Sequence, residues 1–124
     1  MGNRATILFF DRNQVSPTVY LHWNGSDVPD WLDDLSRRMT GRTNDAAYAA
    51  ARFVGICHER IPGNLSLGVA SNSLTVWDLS DGELLAKLSP GNAGIVVVDT
   101  ADFAWRAYGG YLVNHAKPTE RSDS

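Results

Sequence analysis

Thr18-Val19-Tyr20-Leu21-His22-Trp23-Asn24-Gly25 is the stretch that decides the fold. β-Branched and aromatic residues run to Trp23, and Asn24-Gly25 then supplies a turn pair, so residues 18–23 read as a strand entering a turn. Side chains along a strand alternate, which predicts Val19, Leu21 and Trp23 on one face and Thr18, Tyr20 and His22 on the other. A second strand precedes it. Residues 4–10, Arg-Ala-Thr-Ile-Leu-Phe-Phe, are short, β-branched and aromatic, and read as buried. Between the two, Asp11 to Pro17 is a polar loop. Two strands joined this closely pair as an antiparallel hairpin and need no crossover helix.

Working outward, residues 29–40 predict a helix. Val28, Trp31, Leu32, Leu35 and Met39 fall on one face of a 3.6-residue period, Pro29 marks the first turn, and Gly41 supplies the stop. A second helix is expected over 44–60, capped by Thr43 or Asn44, with a broad apolar face of Ala46, Ala49, Ala50, Phe53, Val54, Ile56 and Cys57. The remainder reads as β-rich: strands at 65–70, 74–79, 95–98 and 103–108. Residues 84–88 suit either a short strand or a helical turn, because periodicity cannot separate the two over five positions. The order β-β-α-α-β-β-(β)-β-β predicts an α+β fold, an antiparallel sheet with two helices packed on one face. Residues 1–113 are expected to form one domain, with 114–124 a frayed polar tail.

The chain has 124 residues, a net charge of −3 and a single cysteine. That length suits one domain with a real core. The negative balance argues against general nucleic-acid binding. One cysteine forms no intrachain disulfide and suits a reducing cytoplasm. No apolar run approaches the roughly 18 residues that span a bilayer, and the start of the sequence shows no apolar signal segment. No membrane association is expected. Nine of the eleven basic residues are Arg, the side chain suited to bidentate carboxylate or phosphate contacts and to stacking on rings.

The chemistry-bearing residues exclude more than they assign. His22, His58 and His115 show no metal-ligand spacing, and Cys57-His58-Glu59 point about 100° apart on a helix, so no metal and no cofactor is expected. Cys57 falls on an apolar helix face, where a thiol behaves as a small hydrophobe. No P-loop or dinucleotide fingerprint is present. Residues 91–94, Gly-Asn-Ala-Gly, could expose backbone N–H groups as a small anion nest, or could simply be a hairpin loop. His22 is a weak candidate general base that would need a carboxylate such as Asp45 from elsewhere in the fold. Arg4, Arg42 and Arg52 with Tyr20, Trp23 and Tyr48 are a chemically sensible set for a nucleotide. Tyr48 and Arg52 also read as an ordinary i, i+4 pair on a solvated helix face.

Several segments in this order resemble a family of small uncharacterised proteins of phages, prophages and plasmids. They are Gly2-Asn3-Arg4-Ala5, Tyr20-Leu21-His22-Trp23-Asn24-Gly25, Tyr48-Ala49-Ala50-Ala51-Arg52-Phe53, residues 65–69, and the Gly-Asn-x-Gly strand entry between Gly91 and Asp99. The loop near Pro90 is less acidic than the Asp-Asn-Gly pattern of that family. The resemblance implies an accessory protein of a mobile element, by analogy an anti-defence factor. The leading expectation is therefore a protein that binds and inhibits a host defence component, with a CRISPR–Cas effector first. It would work in the cytoplasm of the bacterial host through His22, Trp23 and Asn24 together with Arg42, Tyr48 and Arg52. The acidic residues Asp27, Asp30, Asp33 and Asp34 would mimic nucleic-acid phosphates or form a solvated helix face. The alternatives are a nucleotide-sequestering module using Arg4, Tyr48 and Arg52, and a hydrolase using His22. A dimer is possible, because the apolar strand 95–98 must lie inside a sheet or be covered by a second copy.

Overall fold

A computed structural model describes residues 3–63 and 66–115. The elements are β1 (Ala5–Phe10), β2 (Thr18–Leu21), α1 (Val28–Arg38), α2 (Ala46–Arg60), β3 (Leu67–Ala70), α3 (Gly82–Leu88), β4 (Gly94–Asp99) and β5 (Trp105–Tyr108). Short 3-10 turns occupy Gly25–Asp27, Asp78–Ser80 and Tyr111–His115. The strands form one sheet in the order β3-β2-β1-β4-β5. The fold is α+β, as the pattern of elements predicts.

The β1–β2 hairpin is antiparallel, with Ala5 opposite Leu21 and Ile7 opposite Val19. β4 and β5 form a second antiparallel pair, Ile95 opposite Tyr108. The sheet as a whole is mixed rather than antiparallel throughout, because β1 and β4 run parallel from Ala5↔Gly94 to Phe10↔Asp99. β3 is antiparallel to β2 and therefore runs with β1 and β4. Chain leaving β3 at one edge must cross β2 and β1 to enter β4, and a parallel entry of this kind needs a crossover, usually helical. Residues 71–93 are that crossover. The stretch 84–88 is accordingly helical, within α3. The expected strand at 74–79 is instead loop and 3-10 turn. Leu74 and Leu79 face down onto the sheet as anchors of the crossover, five residues apart and on one side, which an alternating strand would not allow.

Strand alternation divides the core between the two faces. Ala5, Ile7, Phe9, Val19, Leu21, Val96, Val98, Trp105 and Ala107 point toward α1 and α2. Phe9 and Phe53 join β1 to α2, their ring centroids 5.6 Å apart and tilted by 57°. Both rings are fully buried, and truncating either would cost about 3–5 kcal/mol. Leu8, Ile95 and Val97 point the other way, under Leu79 and Leu85 of the crossover. β4 lies between β1 and β5, so its apolar run is internal to the sheet and no second copy is needed to cover it.

Helix α2 starts two residues later than expected. Asp45 is its N-cap and accepts from Tyr48 N–H, while Asn44 sits at positive φ just outside. The buried Asp11 carboxylate reaches across from the end of β1. Its Oδ2 accepts from Ala46 N–H at 2.8 Å, and its Oδ1 from the N–H groups of Asn13 and Gln14. The orphan donors at a helix start are met in this way by two carboxylates. The expected strand at 65–70 is β3, of which residue 65 lies outside the described residues. Of the expected polar tail, Asn114 and His115 complete the last 3-10 turn. Residues 116–124 lie outside the described residues.

Candidate functional site

β2 ends at Leu21, two residues short of its sequence expectation, and the chain bends at His22 and Trp23. The bend carries Trp23 off the core face on which alternation would place it. Val19 and Leu21 are fully buried, whereas Trp23 is 59% exposed. His22 still donates its backbone N–H to Ser66 O, continuing the β2–β3 ladder by one bond. Tyr20 and His22 share one side of the strand. Their rings meet edge to face at 6.1 Å, with Tyr20 OH and His22 Nδ1 3.5 Å apart, at the outer limit of a hydrogen bond. The His22 ring lies against Trp23, 4.3 Å between centroids and tilted by 54°. Tyr20, His22 and Trp23 thus form one aromatic run.

The turn beneath this run is fixed from both sides. Gly25 donates to Asn3 O at 2.7 Å, and the Asn3 side chain holds Ser26 through Nδ2 to Oγ and Ser26 N–H to Oδ1. Tyr111 OH also donates to Asn3 Oδ1. A Cβ at Gly25 would lie 2.6 Å from both Ala93 Cβ and Asn3 O, so only glycine lets the turn pass. Asn24 donates from Nδ2 to Asp27 Oδ2 and opens the 3-10 turn. Arg4 precedes Ala5, the partner of Leu21, and so lies exposed at the same end of the sheet as His22.

Arg42, Tyr48 and Arg52 also come together, but elsewhere. The Arg42 guanidinium lies 3.8 Å over the Tyr48 ring and 3.4 Å from Asp45 Oδ2. Arg52 lies 4.9 Å from the same ring and donates to Tyr48 OH. The start of α2 is tied to Asp11, just past the end of β1, whereas His22 flanks the beginning of β1. At about 3.3 Å per residue, six residues of β1 separate the two ends by roughly 20 Å. The single surface expected from His22, Trp23 and Asn24 with Arg42, Tyr48 and Arg52 is therefore two clusters. Asp45 is engaged at the cap of α2 and does not meet His22.

Other expected groups are occupied within the fold. Of the acidic row Asp27, Asp30, Asp33 and Asp34, Asp30 is exposed, whereas Asp34 and Asp27 are engaged within the fold. Asp34 is buried and accepts from Arg60 at 2.8 Å and Arg38 Nε at 3.1 Å, and Arg38 forks onto Glu59. Asp27 holds Asn24. The Gly91–Gly94 loop offers no anion nest, since Gly91, Ala93 and Gly94 donate to Ser89 Oγ, Arg4 O and Gly91 O. Burial pushes the Cys57 thiol up to about 12, which leaves it protonated and inert. Among the described residues, no three His, Cys, Asp or Glu side chains converge as metal ligands. No helix among them is long and apolar enough to cross a membrane.

Trp77, in the crossover, is 82% exposed. Two positions escaped the sequence reading. Thr6 is a polar side chain in an otherwise apolar strand, and Asn72 pins the crossover to the sheet. The signal for Thr6 was present, since it breaks the apolar run 5–10; the strand was read as buried without assigning its faces. No known protein family, curated protein or solved structure matches the chain.

Proposed function

We propose that this chain is a binding protein that acts stoichiometrically on a protein partner through the strand end formed by Tyr20, His22, Trp23 and Asn24. The observation that carries this reading is the Trp23 indole, more than half exposed on a turn tied down by Asn3 and Gly25. Exposed apolar surface forgoes about 25 cal/mol per Å² that burial would return. A ring already held in place loses little further freedom when a partner covers it. Trp, Tyr and Arg dominate the energetics of protein interfaces, and Arg4 adds a cation at the same end of the sheet.

The partner is a host defence component, with a CRISPR–Cas effector first, and the chain is a mobile-element inhibitor working in the bacterial cytoplasm. Support for this identity is the resemblance of the segments around Arg4, His22 and Tyr48 to small proteins of phages, prophages and plasmids, which is an argument by analogy. The test is plasmid interference. The chain is expressed in hosts carrying active CRISPR–Cas systems of different types, which are then challenged with a targeted plasmid. Transformation should recover in one of them. Undiminished interference in every system overturns the defence reading.

A further inference from the structure

The sheet face turned away from α1 and α2 carries a cavity of about 330 Å³ beneath the crossover segment. Thr6, Leu8, Thr18 and Ile95 form its floor on three adjacent strands, and Leu74 and Leu88 form its walls. Asn72 and Ser73 stand at its rim; both are exposed, and Leu88 is 47% exposed, so the cavity opens to solvent between them. This volume lies at the low end of the roughly 300–1,000 Å³ typical of small-molecule sites. It is about twice the ~150 Å³ that accommodates a benzene ring in an apolar core.

Two features define what would fill it. None of the lining residues carries a charge. The hydroxyl of Thr6 is buried and has no hydrogen-bond partner among the described residues. A buried hydroxyl left unpaired is costly, and such groups are rare in folded proteins. Thr6 stands opposite Tyr20 on β2 and Ile95 on β4, in the middle of the sheet, where water does not reach its Oγ1. A turn about χ1, which in strands adopts more than one staggered well, would bring the hydroxyl toward an occupant.

The roof is held by a specific clamp. Asn72 Nδ2 donates to Ser16 O at 3.1 Å and to Thr18 Oγ1 at 2.9 Å, while its Oδ1 accepts from Leu74 N–H at 3.0 Å. The Asn72 amide is thus spent on holding the crossover over the cavity. Thr6 Oγ1 is the buried polar atom of the lining left unpaired among the described residues.

We infer that this cavity is a binding site for a small uncharged molecule with an apolar body and one hydroxyl or carbonyl group, which pairs with Thr6 Oγ1. The apolar body lies against Leu8, Leu74, Leu88 and Ile95. Charged ligands, nucleotides among them, are excluded because no lining group would compensate their desolvation. The cavity borders the Trp23 surface, since Thr6 stands opposite Tyr20, but its test needs no protein partner.

Amide shifts of the full chain, titrated with benzyl alcohol and separately with toluene, test this directly. Both probes should saturate, with shifts confined to residues 6, 8, 18, 72–74, 88 and 95. The alcohol should bind about three- to tenfold more tightly, the worth of one net hydrogen bond. Thr6→Val should abolish that preference while toluene binding persists, and Ser73→Trp at the exposed rim should weaken both. Shifts that never saturate, shifts scattered over the surface, or a preference for the alcohol that survives Thr6→Val would each overturn the assignment.

Discussion

His22 and Trp23 are consecutive in the chain, yet their rings lie 4.3 Å apart. Consecutive residues of a regular strand point to opposite faces and cannot meet in this way. The contact exists because β2 stops at Leu21 and the chain bends through both residues. The same bend turns the indole to solvent, away from the buried Val19 and Leu21.

Asp11 organises the opposite end of the sheet. Burial pushes its carboxyl up, but hydrogen bonds from the backbone of Ala46, Asn13 and Gln14 outweigh that and hold it below the usual carboxylate value. A carboxyl with a lowered folded value contributes stability above its unfolded value of about 3.9, and the contribution is lost as pH falls through the folded value. Asp11→Asn should therefore cost about 1–3 kcal/mol at neutral pH. Urea unfolding at a series of pH values should show the gap from the parent protein narrowing as acid protonates Asp11. A gap that stays constant down to strong acid would contradict this account.

Asp34 ties the two helices together. It is buried, and although burial pushes its carboxyl up, hydrogen bonds from Arg60 and Arg38 bring it below the usual value. Asp34→Ala should lower stability by about 1–3 kcal/mol at neutral pH. Glu59→Ala removes only the exposed end of the network and should leave the melting temperature nearly unchanged. Thermal melts of the two variants make the comparison, and equal losses would contradict the assignment of Asp34 as the anchor.

Thr6→Val replaces an unpartnered buried hydroxyl with a methyl group of the same shape. The exchange should stabilise the free protein by about 1 kcal/mol, read from urea midpoints. A loss of similar size would mean that the hydroxyl is already satisfied.

The sequence carried the first half of the fold well. The apolar spacing from Val28 to Met39, Pro29 at the helix start, and the run of alanines in α2 are local signals, and local signals are legible. The pairing of β1 with β4 joins residues some 89 apart in the chain, Ala5 with Gly94, and no local pattern encodes it. Residues 74–79 read as a strand because they open Leu-Thr-Val-Trp, residue types that strands favour, although the segment is loop and 3-10 turn. Burial of Trp31 was legible from its helix face, whereas exposure of Trp23 ran against strand alternation and followed from the bend at His22 and Trp23. The separation of Trp23 from Tyr48 depended on the sheet order and could not be read. Thr6 became meaningful only once a face of β1 and a roof over it were defined.

The central claim is that the Trp23 strand end is a partner-binding surface. Its most direct test is calorimetric titration of the effector complex whose interference the chain relieves, with the parent protein and Trp23→Ala side by side. Trp23→Ala should fold normally, since the indole is more than half exposed. It should bind at least about 30-fold more weakly, the loss of a hot-spot residue worth about 2 kcal/mol or more. Equal affinities for the two proteins would contradict the account and move the search for the contact surface away from this strand end.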